Sequence, residues 1–369
     1  MIKIAYVITD LSYGGAQTML LQLIKDLDRT KFEVAVFIRE KRLGTRIENT
    51  LDEMSINCVY LNISDSSFEG SKLIHKIKSQ QIMNKALSEY NPDIVHSHLE
   101  SSYSLIYCLL YKKYCVFTIH SFPDRIFTKQ FIALQKIMNL KNQTTLVGVA
   151  KCVSKRAKDI LGKNFAQSIT TIYNPIETQN YYRNDDGHNK TIFVNVARMD
   201  PIKNQKLLLQ AFSLAKKKYN DIHLRVVGDG ELWQLLHEEA DKLGILSDVD
   251  FLGNSKDVPS ILSTSDVFIL TSDSECCPMT VLEAMASELP IVSTDVGGVS
   301  ELVCDAGILL PINDKETIAK AIVELGSDKS RQKEMGKKAR ILVQQFESSI
   351  IAQKYVDMYQ SITLKRKPK

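Results

Sequence analysis

The chain has 369 residues, 24% charged and 44% apolar, too long for one ordinary domain and suited to two of roughly 150–200 residues each. It holds no run of about 18 apolar residues, no signal-peptide core in the opening MIKIAYVITD and no C-x-x-C pair among its seven cysteines, so a cytoplasmic protein without membrane spans, disulfide framework or zinc knuckle is expected. The formal charge of +4 divides into +7 for residues 1–185 (24 Lys/Arg against 17 Asp/Glu) and −3 for the remainder; without a zinc-finger, helix-turn-helix or aromatic-basic RNA motif this argues against nucleic acid and leaves an anionic surface or acceptor for the basic half.

Short apolar runs alternate with helix-period stretches from end to end, the pattern of parallel sheets covered on both faces. The first run, IAYVI (4–8), ends at Thr9-Asp10, and Gly14-Gly15 then open a helix, where backbone N–H groups can approach a phosphate without a side chain intervening. VAVFI (34–38) follows, then DIVHS (93–97), whose extension DIVHSH ends in His96 and His98, and CVFTIH (115–120), which ends in His120. Three imidazoles at strand carboxyl ends suit a site rim, where they can donate to a phosphate, a sugar hydroxyl or an acceptor; alternation turns His96 toward the core, on the side of Ile94, and no acidic residue at ligand spacing supports a metal. RIFTKQFIALQKIMNLKN (125–142) reads as one helix whose Arg125, Lys129, Lys136 and Lys141 would suit an anionic membrane, or simply a solvated basic side. TLVGVA (145–150) closes the first series, and the polar stretch around Asn174-Pro175 and NDDGHN within 172–190 is read as the linker.

The second series opens with IFVNVA (192–197). Arg198 and Lys203 follow it before the next helix, two cations five positions apart that can hold a diphosphate and offset leaving-group charge. LRVVG (224–228) leads into Gly228 and Gly230, a turn that can admit a nucleotide base, with the loop 253–259 after VDFLG (249–253) as a cover for it. Asp248-x-Asp250 and Asp26-x-Asp28 imitate a metal-binding D-x-D but fall at a strand entry and on a helix, and are read as chance. The buried strand VFIL (267–270), the loop SDSECCP and a helix Met279 to Ser287 form the most informative block: Glu275 sits in the loop beside the open N–H groups of the helix, an anion site, and Glu283 stands one turn inside, where a ribose hydroxyl could meet it. A sugar nucleotide is the ligand this suggests. PIVST (290–294) follows, and the last helix, SIIAQKYVDMYQ (349–360), has an apolar face at 351, 355, 356 and 359 that needs a surface to cover.

In this order and spacing, GGAQ, D-I-V-H-x-H, TIH, VARMDPIKN, VVGDGE, FLG, SECCPMTVLEAMA and TDVGGVSELV resemble the retaining family 4 glycosyltransferases of GT-B fold over nearly the whole chain. The resemblance implies an α/β architecture of two Rossmann-like doubly wound parallel-sheet domains facing a cleft. The first would be an acceptor domain over 1–177 completed by the helix 349–369, and the second a nucleotide-sugar donor domain over 178–348. It implies Arg198 and Lys203 on the donor diphosphate, with Gly14 and Gly15 and the segment Cys276, Cys277, Pro278, Met279 and Thr280 assisting, Gly228 near the nucleotide, Glu283 on the ribose, Glu275 at the donor sugar, His120 by the scissile bond and His98 on the acceptor side. The chain departs from the family pattern at Cys276 and Glu288, each standing where glycine is usual.

The expected reaction is transfer of a sugar from a nucleoside diphosphate sugar, UDP-linked by preference, to a saccharide or lipid-linked acceptor hydroxyl with retention, in cell-surface polysaccharide or glycolipid synthesis. Neither metal nor cofactor is expected, and a peripheral location on the inner face of the plasma membrane is the variant location. Rivals of the same fold are a sugar-phosphate-forming synthase, a phosphorylase, or a non-catalytic partner subunit; the last would have lost His120, Arg198 or the glutamates, and all are present. A dinucleotide-dependent oxidoreductase would need a G-x-G-x-x-G turn, which the first βα turn lacks.

Overall fold

The computed structural model describes residues 1–63, 71–99, 102–184, 187, 189–255 and 257–366. The chain forms two compact units, Met1–Pro175 together with Ser348–Lys369, and Ile176–Glu347. The first is built on seven strands: β1 (Ile2–Ile8), β2 (Phe32–Ile38), β3 (Asn57–Tyr60), β4 (Ile94–His98), β5 (Tyr114–Ile119), β6 (Thr144–Gly148) and β7 (Ile169–Thr171), all parallel, in the order β3-β2-β1-β4-β5-β6-β7. The second holds β8 (Thr191–Val196), β9 (Ile222–Val227), β10 (Val249–Gly253), β11 (Val267–Leu270), β12 (Ile291–Thr294) and β13 (Gly307–Leu310), parallel in the order β10-β9-β8-β11-β12-β13.

Both sheets are doubly wound. The strand order reverses between β1 and β4 in one and between β8 and β11 in the other, and in such sheets ligands collect outside the carboxyl ends of the strands at that switch. The turns after β1, β4, β8 and β11 are therefore the positions to inspect. Central strands are buried on both faces, as in β1, where Ile4 to Ile8 are all solvent-free, and this explains why they read as continuous apolar runs rather than alternating ones.

The C-terminal helix Ser348–Arg366 belongs to the first unit and packs on the helix Gly15–Asp26. Its apolar face, Ile351, Tyr355 and Tyr359 among others, completes the core that Tyr6, Ile24 and Phe32 begin. Where the chain leaves the second unit it pairs with the point of entry: Ile176 bridges Glu347, and the Glu347 carboxylate accepts from the Thr178 backbone N–H at 3.2 Å and from the Thr178 hydroxyl.

The stretch expected as one helix over 125–142 is two. A short turn Pro123–Ile126 stops, and Thr128 restarts the chain as an N-cap by accepting from the Phe131 N–H at 3.1 Å, opening the helix Lys129–Leu140. The inner face of that helix carries Phe131, Gln135 and Met138. Among the described residues no helix is long and apolar enough to cross a membrane.

Candidate functional site

In the second unit the turn after β8 and the loop after β11 meet. Lys203 Nζ and the Ser272 hydroxyl both donate to Glu275 Oε1, each at 2.7 Å. The loop is tied down from three sides. Thr294 Oγ1 donates to the Ser272 carbonyl at 2.6 Å, the Gly298 N–H to the Glu275 carbonyl at 3.2 Å, and the Asp273 N–H to the Ile202 carbonyl at 2.8 Å. Glu275 and Lys203 are thus mostly shielded and mutually neutralised, a pair that in a low-dielectric setting holds its geometry because either partner alone would be a buried charge.

Arg198 behaves differently. Its side chain is 75% exposed and lies along Asp200, with Nε donating to Oδ2 at 2.9 Å. The sequence reading treats Arg198 and Lys203 as equivalent fixed cations; here Lys203 is a held charge and Arg198 a solvated one. The Arg198 backbone is nonetheless fixed, because Gln205 donates to its carbonyl at 2.9 Å.

After the loop, Pro278 opens the helix Met279–Ala286 with no side chain capping its first turn, so the first N–H groups are left for a ligand. Cys277, Pro278 and Met279 are buried while Cys276 and Thr280 keep some exposure. Glu283 lies one turn in and is partly buried. Burial pushes its carboxyl up to about 7, partly countered by a hydrogen bond from the Tyr181 hydroxyl. Tyr181 was not foreseen; it lies in the stretch read as linker, where no pattern marks a contact across a hundred residues.

Gly228 and Gly230 are required by backbone proximity. Both have positive φ, +130° and +157°, and a Cβ on them would come within 2.0 Å of the Ala197 carbonyl oxygen and 2.4 Å of that of Met199. The glycine turn therefore presses on the Ala197–Met199 segment and holds the backbone that carries Arg198. The covering loop expected over 253–259 includes Lys256, which lies outside the described residues, as do three members of the NDDGHN run and the end of the basic tail.

In the first unit the turn after β1 is organised by Asp10, whose Oδ1 accepts from the Ser12 N–H at 2.9 Å, from the Ser12 hydroxyl and from Gln17 Nε2 at 3.1 Å. This presents Gly14 and Gly15 exposed at the start of a helix with no side-chain cap. A Cβ on Gly14 would meet the Gln17 amide oxygen at 2.5 Å.

The three histidines form a chain. His96 is buried, as alternation requires, with Nδ1 bonded to the Tyr359 hydroxyl at 2.6 Å and Nε2 to the Thr118 hydroxyl at 2.7 Å. His98 corrects the rim reading: it is fully buried, with Nδ1 against His120 Nε2 at 2.9 Å and its ring 4.2 Å from that of His96. Only His120 keeps partial exposure. Burial draws the His120 pKa down to about 4, and those of His96 and His98 well below the usual histidine range. The chain is a set of neutral imidazoles anchored, through Tyr359, to the C-terminal helix. Among the described residues no group of three or more His, Cys, Asp or Glu side chains is placed to hold a metal ion.

Two doubly wound parallel units with these turns define the GT-B class. The model described as Glycosyltransferase Family 4 matches residues 13–180 and that of Glycosyl transferases group 1 matches 180–342, and the chain belongs to the family 4 glycosyltransferases. An N-acetyl-alpha-D-glucosaminyl L-malate synthase of Bacillus anthracis is 29% identical over 53% of this chain, which spans about half (54%) of that relative's length. A UDP-Gal:alpha-D-GlcNAc-diphosphoundecaprenol alpha-1,3-galactosyltransferase of Escherichia coli is 26% identical over 89% of each chain. Anabaena HepE, solved in complex with UDP-glucose, is 19% identical with TM-score 0.82 over 98% of this chain and all of its own, and a sucrose-phosphate synthase of Thermosynechococcus elongatus is 17% identical with TM-score 0.80 over 99% of this chain and all of its own; both likenesses concern the fold.

Proposed function

We propose that this protein transfers a sugar from a nucleoside diphosphate sugar, a UDP-sugar by preference, to an acceptor hydroxyl with retention of configuration, in the synthesis of a surface polysaccharide or glycolipid. The observation that carries the reading is the block in which Glu275, held by Lys203 and Ser272, stands before the uncapped helix Met279–Ala286 with Glu283 one turn inside. The helix N-terminus and Lys203 would take the diphosphate, Arg198 would swing from Asp200 onto it, Glu283 would exchange Tyr181 for the ribose hydroxyls, and Glu275 would meet the donor sugar. Cations and N–H groups aimed at the leaving diphosphate stabilise the charge that develops there, so the reaction is expected to proceed in EDTA without loss.

His120, neutral throughout the working range, serves as a hydrogen-bond donor to substrate rather than as a charged acid. With no carboxylate assigned as nucleophile, front-face attack with the departing phosphate oxygen taking the acceptor proton fits best. The E. coli relative's diphosphoundecaprenol acceptor supports a lipid-linked acceptor. Peripheral contact with an anionic membrane is supported by the outer side of the helix Lys129–Leu140, where Lys129, Lys136, Ile137 and Leu140 are exposed, Leu140 by 82%. The test is UDP release from a panel of UDP-sugars in the presence of polyprenyl-phosphate-linked and free saccharides, with product anomer read by NMR. Release coupled to an α-linked product from an α-linked donor is expected, and an inverted product would overturn the retaining reading. Flotation with liposomes separates the membrane question: more protein with anionic than with neutral vesicles is expected.

A further inference from the structure

His98 and His120 share one hydrogen bond, Nδ1 to Nε2 at 2.9 Å, and two neutral arrangements satisfy it. If His120 donates from Nε2, His98 must carry its own proton on Nε2. That atom is buried and has no hydrogen-bond partner among the described residues, so the arrangement strands an N–H in the core. Orphaned buried N–H groups are rare in folded proteins, and bare acceptors are better tolerated. If instead His98 donates from Nδ1, its Nε2 is only a bare lone pair, and His120, accepting at Nε2, carries its proton on Nδ1. We propose that His98 is a positioning residue that holds His120 as the neutral Nδ1–H tautomer, so that the partly exposed imidazole meets its ligand as a donor and cannot take up a proton there.

The surroundings agree. The groups facing His98 are His96 two residues back on the same strand, His120 just past the end of β5 and Tyr6 on β1, with Tyr359 of the C-terminal helix beyond His96. None is charged near neutrality: burial holds the imidazoles neutral and the Tyr6 and Tyr359 hydroxyls protonated. His96 has both nitrogens occupied by hydroxyls, so it stacks on His98 without offering it a proton or an acceptor. The tautomer held here is the reverse of the one free histidine favours, so the fold must impose it.

The tautomer follows from the hydrogen bonds alone; its consequence for turnover rests on the transferase reading. The test is two-bond 1H–15N correlation of histidine-labelled full-length protein from pH 5 to 9, assigned with His120→Gln. A protonated Nδ1 and bare Nε2 on His120, unchanged over that range, is expected; a protonated Nε2 in the wild type overturns the proposal even if no variant folds. His98→Asn, whose amide N–H can take the Nδ1 place, should keep that pattern and near-wild-type kcat. His98→Leu removes the donor to His120 Nε2 and should let the His120 proton move to Nε2, seen as a changed two-bond pattern, and lower kcat about tenfold, the worth of one hydrogen bond, with donor KM unchanged. A His98→Leu enzyme with wild-type kcat despite a changed His120 pattern overturns the consequence. Absence of turnover with every nucleotide sugar defeats the transferase reading instead, while the protonation pattern seen by NMR still decides the tautomer.

Discussion

The two switch points of this molecule solve the same problem with opposite chemistry. In the second unit, cations, carboxylates and an uncapped helix end gather at β8 and β11, and Lys203 pairs with Glu275 at 2.7 Å. In the first unit, the carboxyl ends of β4 and β5 carry three imidazoles kept neutral by burial, His96 hydrogen-bonded to the C-terminal helix and stacked on His98, which bonds His120. The difference teaches that one cluster is held together by opposite charges and the other by burial of neutral rings.

Breaking the charged half should have the largest effect. Arg198→Ala removes a solvated side chain, so its folding should be untouched while turnover falls by roughly 10²–10³, the cost of losing one group that stabilises developing charge. Lys203→Ala should lower turnover at least as far and also destabilise the unit, because it leaves Glu275 shielded without its cation. Steady-state rates beside thermal unfolding separate the two effects, and equal destabilisation by both variants would contradict the distinction between a held and a solvated cation.

Breaking the neutral half should appear first as stability. Tyr359→Phe removes the hydroxyl that His96 Nδ1 and Tyr6 share and strands a buried nitrogen, an expected loss of about 1–3 kcal/mol measured by urea unfolding. Glu283 sharpens the comparison from the other side. Its folded pKa of about 7 lies above the ordinary value of 4.5, so the folded state keeps a proton that the unfolded chain gives up earlier. Stability therefore falls as pH rises from about 4.5 to 7 and levels off above, and Glu283→Gln should flatten that slope. Unfolding midpoints measured from the acid side of this window to its alkaline side check it.

The smallest effect concerns Glu288. It sits past the helix Met279–Ala286 at φ +59°, the left-handed region that glycine enters without cost. A glutamate there therefore carries a conformational cost, and Glu288→Gly should stabilise by about 1 kcal/mol in thermal unfolding.

Ten strands were legible as apolar runs, nine of them inner strands of the two sheets and one, β10, an edge strand with Asp250 and Leu252 exposed; parallel strands between two helical layers are buried on both faces. Those not foreseen, β3, β7 and β13, all lie at sheet edges, where fewer neighbours demand fewer apolar residues; Asn57 in β3 and Thr170 in β7 are exposed. The turns after β1, β8 and β11 were legible because glycines, cations and glutamates cluster just after strands. What was not legible depends on contacts distant in sequence: Tyr181 on Glu283, the Lys203 to Glu275 pairing, and the burial of His98. The last follows from the β4–β5 register, which sets His98 beside Thr118 and brings His120 over it.

The most direct test of the account is thermal unfolding of the full-length protein with UDP, GDP and ADP, for wild type and Lys203→Ala. A ligand at 100 times its Kd adds about 2.7 kcal/mol of stability, so a clear upward shift with UDP, larger than with the other two and lost in the variant, is predicted. No shift with any nucleoside diphosphate at millimolar concentration would contradict it.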